Sequence, residues 1–339
     1  MEKLKEGWTK MIKEYVRLLK ARNWMKKNQP FLYSWHAYVG FELDLFSQFR
    51  KWSTVKEVAS SRNLQEELLL RWVEVGLAIR HLKKKGKDKI KTASKFSLPS
   101  TPDNPRSTGI ILKEMMELHI PTLLSYPELL RSNKRNIFNH EEHGQTVART
   151  SSLLEQLALP RLLKTIRKNK IRRIIDIGCG EGGYLTRISQ KFPAADLTGI
   201  EMNEEVAESA QNNCRDYQNI HIIASDVYDY TPEYEADLIM INNLLHYIEP
   251  QDRKQLLSRL KSWLSRSGSI TIITPILHPK KGEAFSSVFN SFFSAFENLY
   301  PTPTEEDIGH MAKELNLKVK TFKPVVTEGG WYFIQLSNK

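Results

Sequence analysis

Between Ile174 and Leu185 the chain reads IIDIGCGEGGYL, an apolar run that carries an acid, Asp176, and then four glycines, Gly178, Gly180, Gly182 and Gly183. Glycines at this density let a strand turn tightly into a helix whose first amides face a ligand. The spacing Gly178-x-Gly180-x-x-Gly183 fits the dinucleotide fingerprint, while Gly178-x-Gly180-x-Gly182 fits a second pattern. The loop alone therefore leaves a nicotinamide cofactor and S-adenosylmethionine both open.

The acids that follow narrow the choice. A carboxylate at Asp176, two residues before the first loop glycine, would repel a pyrophosphate delivered to the same helix terminus. It suits a ligand that presents an ammonium group. In LTGIEMNEE, Glu201 stands 19 residues after Gly182, where a carboxylate can accept both hydroxyls of a ribose, a device NAD enzymes share. In ASDVYDY, Asp226 is placed to accept an adenine amino group, with Val227 against the ring. The run ADLIMINNLLHYIEP then brings Asn242, Asn243 and His246 over the same pocket.

Such residues can converge only if the elements carrying them end at one edge of a sheet. From Arg172 onward the hydrophobic pattern alternates strands and helices, with strands expected at 174–177, 196–200, 220–224, 238–242, 269–274, 317–322 and 331–336, and helices between the first five. The fold class is α/β, a doubly wound Rossmann-like domain, and ligands of such sheets lie beyond the carboxyl ends of the strands. Upstream, 41–98 reads as helix, short helix from Ser53-Thr54 to Val58, long apolar helix from Leu64 to Ile79, and a hairpin turning at Gly86. That order predicts a winged helix-turn-helix, but Leu68, Leu69, Leu70, Trp72, Val73, Val75, Leu77 and Ile79 predict a mostly buried helix rather than one laid against phosphates. PSTPDNPRSTG at 99–109 reads as a crossing loop, followed by helices over 110–131, broken at Pro121 and Pro127, and over 144–167. Three segments follow: a helical winged-helix domain at 1–100, a helical connector at 101–168 and a ligand-binding domain at 169–339.

Composition excludes several classes. At 339 residues and 40% apolar content the chain can build two cores, and no apolar run approaches the ~18 residues of a membrane span. With no secretory leader evident, a cytoplasmic address is expected. Two cysteines, Cys179 and Cys214, give neither a disulfide framework nor a metal spacing, and HEEH at 140–143 is not H-E-x-x-H and lacks a third ligand, so no metal is expected. The net charge of +11 sits in the first half: residues 1–150 hold 28 Lys and Arg against 16 Asp and Glu, residues 151–339 hold 22 against 23. A basic amino-terminal half can mark a nucleic-acid footprint or a solvated face.

Four motifs in this order, over about Arg172–Thr274, resemble a class I S-adenosylmethionine-dependent methyltransferase. The resemblance implies S-adenosyl-L-methionine as cofactor, held by Asp176, Gly178, Gly180, Gly182, Glu201, Met202, Asp226, Val227 and Asn242. The whole-chain layout is similar to small-molecule O-methyltransferases with an amino-terminal winged-helix dimerisation domain and a helical connector roofing the substrate pocket. It implies a homodimer, a small-molecule acceptor with neither membrane nor nucleic acid as partner, and a catalytic histidine in NNLLHYIEPQD, which places His246 as general base. Phe289 and Phe293, within a helical stripe of phenylalanines, and Met116 are the substrate-pocket candidates; such a stripe also serves as ordinary core. The chain departs from that branch in two places. Acids that orient the base there are replaced by Thr274 and, near the last helix, about Thr302, leaving Glu249, Asp252 or Glu305 as substitutes. A nucleic-acid methyltransferase would need exposed aromatics interleaved with Lys and Arg and, for base amino methylation, an acid or asparagine followed by Pro-Pro and an aromatic after the fourth strand, where NNLLHY has no Pro-Pro; a winged-helix protein that only senses S-adenosylmethionine is the non-enzymatic alternative.

Overall fold

A computed structural model describes residues 2–95, 97–104, 107–132 and 134–339, without the side chains of 2–6, 140–142 and 145. Residues 105 and 106 of the expected crossing loop, and three of the four side chains of HEEH, thus lie outside the described residues. The chain forms two compact units, one ending at Glu117 and the other Leu118–Lys339.

The first unit comprises α1 (Glu2–Lys27), α2 (Gln29–Glu42), α3 (Leu45–Gln48), α4 (Val55–Arg62), α5 (Glu66–Ala78), β1 (Leu82–Lys85), β2 (Lys89–Thr92) and α6 (Gly109–Glu114). Thr54 starts α4 as expected, closing a capping box with Glu57, and the helix runs past Val58 to Asn63 in the left-handed region. Phe41, Leu45, Phe49, Trp72, Val73 and Ile90 are buried. The His36 ring lies flat on Trp72 with centroids 4.1 Å apart, and its Nδ1 meets His81 Nδ1 at 3.1 Å, so one imidazole donates and the other accepts. Burial and then His81 lower the pKa of His36 to about 3; burial and then Lys95 lower that of His81 to about 4. The expectation of a mostly buried α5 is corrected: Leu69, Trp72, Val73 and Gly76 face the core, whereas Leu68 is 62% exposed and Leu70 is exposed too. A helix apolar all round can bury only one stripe against a core this small. β1 and β2 pair antiparallel with Lys83 opposite Lys91 and Lys85 opposite Lys89. Lys89 reaches Glu57 at 3.1 Å, while Lys85 and Lys91 approach the Trp52 ring. Along α1, Trp8, Met11, Ile12, Tyr15, Leu18, Trp24 and Met25 are all exposed.

The second unit adds α7 (Ile120–Leu124), α8 (Tyr126–Leu129), α9 (His140–Asn169), β3 (Arg173–Ile177), α10 (Gly183–Lys191), β4 (Asp196–Glu201), α11 (Glu204–Cys214), β5 (Ile220–Ala224), β6 (Ala236–Asn242), α12 (Arg253–Ser262), β7 (Leu264–Pro275), α13 (Glu283–Ser294), α14 (Glu305–Glu314), β8 (Leu317–Val326) and β9 (Trp331–Asn338). The seven strands follow the order β5-β4-β3-β6-β7-β9-β8, parallel from β5 through β7, with β9 antiparallel to both its neighbours. Chain order reverses between β3 and β6, which opens a crevice at their carboxyl ends. β6 reads as an unbroken apolar run because helices cover both faces of the central sheet: Leu238, Ile239, Met240 and Ile241 are fully buried.

Helices were expected between each of the first five strands, and one is absent. Between β5 and β6 the chain makes turns only, from Ser225 to Glu235. Arg259 of α12 holds that segment instead, donating to the carbonyls of Val227 at 2.9 Å and Tyr230 at 2.8 Å. The segment is short, carries Pro232 and lets side-chain and backbone carboxyl–amide turns compete with helix, as where Asp226 Oδ1 accepts the Tyr228 amide at 2.8 Å. Among the described residues, no helix is long and apolar enough to cross a membrane.

Candidate cofactor and acceptor site

The glycine loop joins β3 to α10 with Gly178, Gly180 and Gly182 at φ of +64°, +53° and +79°. Only glycine enters this region without strain, which explains three of the four. A Cβ on Gly180 would meet nothing within 4 Å, so the backbone there borders open space, whereas one on Gly182 would come within 2.7 Å of Cys214 Sγ. Cys179 is small because Gly199 on β4 packs against it, with a Cβ there only 2.7 Å from its Sγ. Its thiol is pushed up by burial, then by Asp176 and Glu201, and so stays protonated.

Asp176 lies 2% exposed near the end of β3, opposite Met240 in the β3–β6 register. Asn242, two residues further along β6, donates its Nδ2 to Asp176 Oδ1 at 3.2 Å. Burial, then Glu155 and Glu201, hold the Asp176 carboxyl well above the usual carboxylate range, against the Asn242 donation. Glu201 ends β4 and ties the loop to its own turn: Oε2 accepts the Gly180 amide and Oε1 the Asn203 amide, each at 3.1 Å. Met202 is 71% exposed immediately after it. Asp226 and Val227 follow β5, with Val227 packed partly against the core.

His246 sits in a single 3₁₀ turn, Leu245–Tyr247, three residues past Asn243, which is itself at φ +50°. The Asn243 side chain is held by Trp331 of β9, whose Nε1 donates to Asn243 Oδ1 at 2.9 Å. The imidazole lies nearly parallel to the Phe293 ring, centroids 4.5 Å apart and 13° between planes. Phe289 stands edge-on to Trp331 at 4.7 Å and to His119 at 4.9 Å. Of the stripe, Phe292 and Phe293 on α13 and Phe296 just beyond it are buried, while Phe289 is half-buried beside Trp331. Met116 lies in the π-helical turn Met115–His119, within the first unit.

The two threonines that replace acids are absorbed elsewhere. Thr274 is fully buried with Oγ1 donating to the Pro275 carbonyl, and Thr302 donates both its amide and its hydroxyl to Asn290 Oδ1, at 2.7 and 3.1 Å. Of the substitutes, Glu249 accepts the Tyr300 hydroxyl at 3.0 Å and Glu305 pairs with Lys280 at 3.6 Å.

Does this set fit a nucleoside sulfonium with an amino-acid tail? A buried carboxylate that burial and neighbouring acids oppose is stabilised by a cation and by little else. Asn242 Oδ1 is buried with no hydrogen-bond partner among the described residues and lies beside that carboxylate. The backbone at Gly180, in the loop that follows β3, borders open space. The residues fit. Among the described residues, no group of three His, Cys, Asp or Glu is placed to hold a metal ion.

Fold and site together define a doubly wound α/β domain with a ligand-binding glycine loop after β3, preceded by a mainly helical unit. Residues 174–268 match the family model described as "Methyltransferase domain", which spans β3 to the start of β7. A malonyl-[acyl-carrier protein] O-methyltransferase of Ilyobacter polytropus is 31% identical over 101 residues, 30% of this chain and 37% of that protein. The curated relatives thus match over roughly two-fifths of their length. Across nearly the whole chain the fold is similar to human N-acetylserotonin methyltransferase in complex with S-adenosylmethionine, TM-score 0.73 at 16% identity, covering 94% of this chain and 97% of that one. It is equally similar to mitomycin 7-O-methyltransferase, TM-score 0.74 at 15% identity, covering 95% and 100%.

Proposed function

We propose that this chain transfers a methyl group from S-adenosyl-L-methionine to a hydroxyl of a small-molecule acceptor, as an O-methyltransferase of secondary metabolism. The observation that carries the reading is the juxtaposition at the β3–β6 switch: the buried Asp176–Asn242 pair on one side, His246 on the turn after β6 on the other.

When bound, the cofactor supplies an electrophilic methyl on a sulfonium, and displacement there is in line. The chain's part is to align and to shield. Asp176 and Asn242 hold the amino-acid end, Glu201 the ribose, and Asp226 with Val227 the adenine, while Gly178, Gly180 and Gly182 let the backbone approach and Met202 flanks the ribose side. His246 accepts the acceptor hydroxyl's proton, and its contact with Phe293 fixes the ring plane. Phe289 and Phe293 line the acceptor's side and exclude water, so that positioning supplies most of the acceleration. With Thr274 and Thr302 bound into buried networks, the base has a weaker orienter than in the branch it resembles. The first unit joins two copies into a homodimer, as the exposed apolar side chains of α1 support.

Incubating the protein with isotopically methyl-labelled cofactor and an extract of the producing cells tests the reading. A labelled small molecule heavier by one methyl is the expected product. Label appearing in RNA or DNA would favour a nucleic-acid acceptor instead, and cofactor binding with no labelled product would favour a sensor.

A further inference from the structure

The acids near the glycine loop do not all come from strand ends. Glu155 lies in the middle of α9, well before β3 in sequence, yet its carboxylate rests on the first turn of α10: a Cβ on Gly183 would come within 2.6 Å of Glu155 Oε2. Arg187, one turn further along α10, pairs with that carboxylate and donates Nη2 to Ser152 Oγ at 3.1 Å, which fixes the side chain. Despite the arginine, burial holds the Glu155 carboxyl above its usual range, and Glu155 in turn acts on Asp176. A second group points to the same place. Tyr184, the residue after Gly183, is 4% exposed, and its hydroxyl has no hydrogen-bond partner among the described residues. After burial, Glu155 and Asp176 are the two charges that most oppose ionisation of that phenol.

The buried Asp176 carboxylate, the half-buried Glu155, a buried hydroxyl and the free Asn242 Oδ1 thus gather beside a glycine loop, with Arg187 among the acids Glu155, Asp176 and Glu201. If Glu155 served only to clip α9 to α10, Arg187 would suffice and the Tyr184 hydroxyl would gain nothing from being polar: an unpartnered buried hydroxyl costs about 1–3 kcal/mol. We propose that Glu155 is a second carboxylate of the ammonium receptor, facing Asp176 across the amino-acid end of the cofactor, and that the Tyr184 hydroxyl donates to the cofactor's carboxylate. This rests on the S-adenosylmethionine reading and deepens it by giving α9 a share of the binding site.

The test is calorimetric titration of the full chain with S-adenosylhomocysteine and with its deaminated analogue, which keeps the nucleoside, thioether and carboxylate but lacks the amino group. Glu155→Gln keeps the shape of the side chain and one acceptor. It is expected to weaken S-adenosylhomocysteine roughly ten- to a hundredfold, the span of a lost charge-assisted hydrogen bond, and to leave the deaminated analogue within about threefold. Equal weakening of both ligands, or of neither, would overturn the proposal and leave Glu155 as a clip between helices. Tyr184→Phe, which keeps the Glu155–Arg187 pair, covers the case in which Glu155→Gln fails to fold: it should weaken both ligands several-fold, and unchanged affinities overturn the role given to its hydroxyl. If the parent chain binds neither compound, the cofactor reading falls first and this one with it.

Discussion

Replacing Asp176 by Asn should move stability and cofactor affinity in opposite directions. The variant keeps an acceptor oxygen for Asn242 Nδ2 and nearly the same volume, so the β3–β6 contact survives. What it removes is a charge that burial, Glu155 and Glu201 all oppose. The folded pKa is raised, so the folded chain keeps its proton where the unfolded chain has lost it. The stability Asp176 contributes is therefore fully present below the unfolded value near 3.8 and is lost as pH rises through the folded one. Asparagine does not titrate, so the variant should melt higher than the parent, by a margin that widens with pH across that interval. The ligand reports the reverse. A cofactor ammonium needs the ionised carboxylate, so affinity in the parent should climb over the same interval, and the variant should bind S-adenosylhomocysteine roughly ten- to a hundredfold more weakly, about 1.5–3 kcal/mol. Thermal melting and calorimetric titration at about pH 5.5, 7 and 8.5 resolve both effects. A variant that melts lower and binds with undiminished affinity would refute the reasoning, since Asp176 would then be part of the scaffold.

His246→Ala should leave cofactor affinity nearly unchanged while lowering turnover by about 10²–10⁴, toward the lower end because Thr274 and Thr302 stand where orienting acids would be; near-parental turnover would remove the general base. Gly182→Ala combines a backbone at φ +79° with a Cβ 2.7 Å from Cys214 Sγ, and should cost about 1–3 kcal/mol, read as a lowered melting temperature. In the first unit, the lowered pKa values of His36 and His81 mean that stability present above about pH 6.5 is lost as pH falls toward about 4 and then 3. Trp72, stacked on His36, should report that loss by fluorescence, and a signal flat to about pH 3 would contradict it. Sedimentation at micromolar protein should show a dimer; a monomer would remove the role given to the exposed side chains of α1.

Residues whose role depends on their immediate neighbours in sequence were legible in the sequence. The glycines after β3, the acids ending β3 and β4, and six of the expected strands within a few residues of their observed ends all follow from local turn chemistry and apolar runs. β7 is longer at its start, reaching back to Leu264 where its first residues pair with Ala236. Relations made at a distance were not legible. Nothing local marks Glu155 as an acid of the glycine loop, because α9 meets α10 only after folding. Trp331 gave no sign that it would hold Asn243, 88 residues away. The missing β5–β6 helix was an overextension of the alternating pattern: the segment's acids and proline argued for turns, but the carbonyls they free are satisfied by Arg259, whose part depends on α12 docking beneath them.

The β1–β2 hairpin constrains how copies of this chain can meet. Along β2 the outer edge is already met, since Ile90 exchanges both backbone hydrogen bonds with Ser53 and the Thr92 amide donates to the Phe49 carbonyl, so β1 carries the edge that would invite another strand to add itself. Here two of the four directly opposed pairs are lysine against lysine, Lys83 with Lys91 and Lys85 with Lys89, an arrangement that costs the hairpin some of its own stability. A second hairpin laid alongside would bring another set of like charges against the first, with Lys89 already committed to Glu57 and so only partly silenced. Edge-to-edge joining through β1 is thereby opposed by charge, and any meeting of two copies at this unit is steered toward its uncharged surface, toward helices rather than strands.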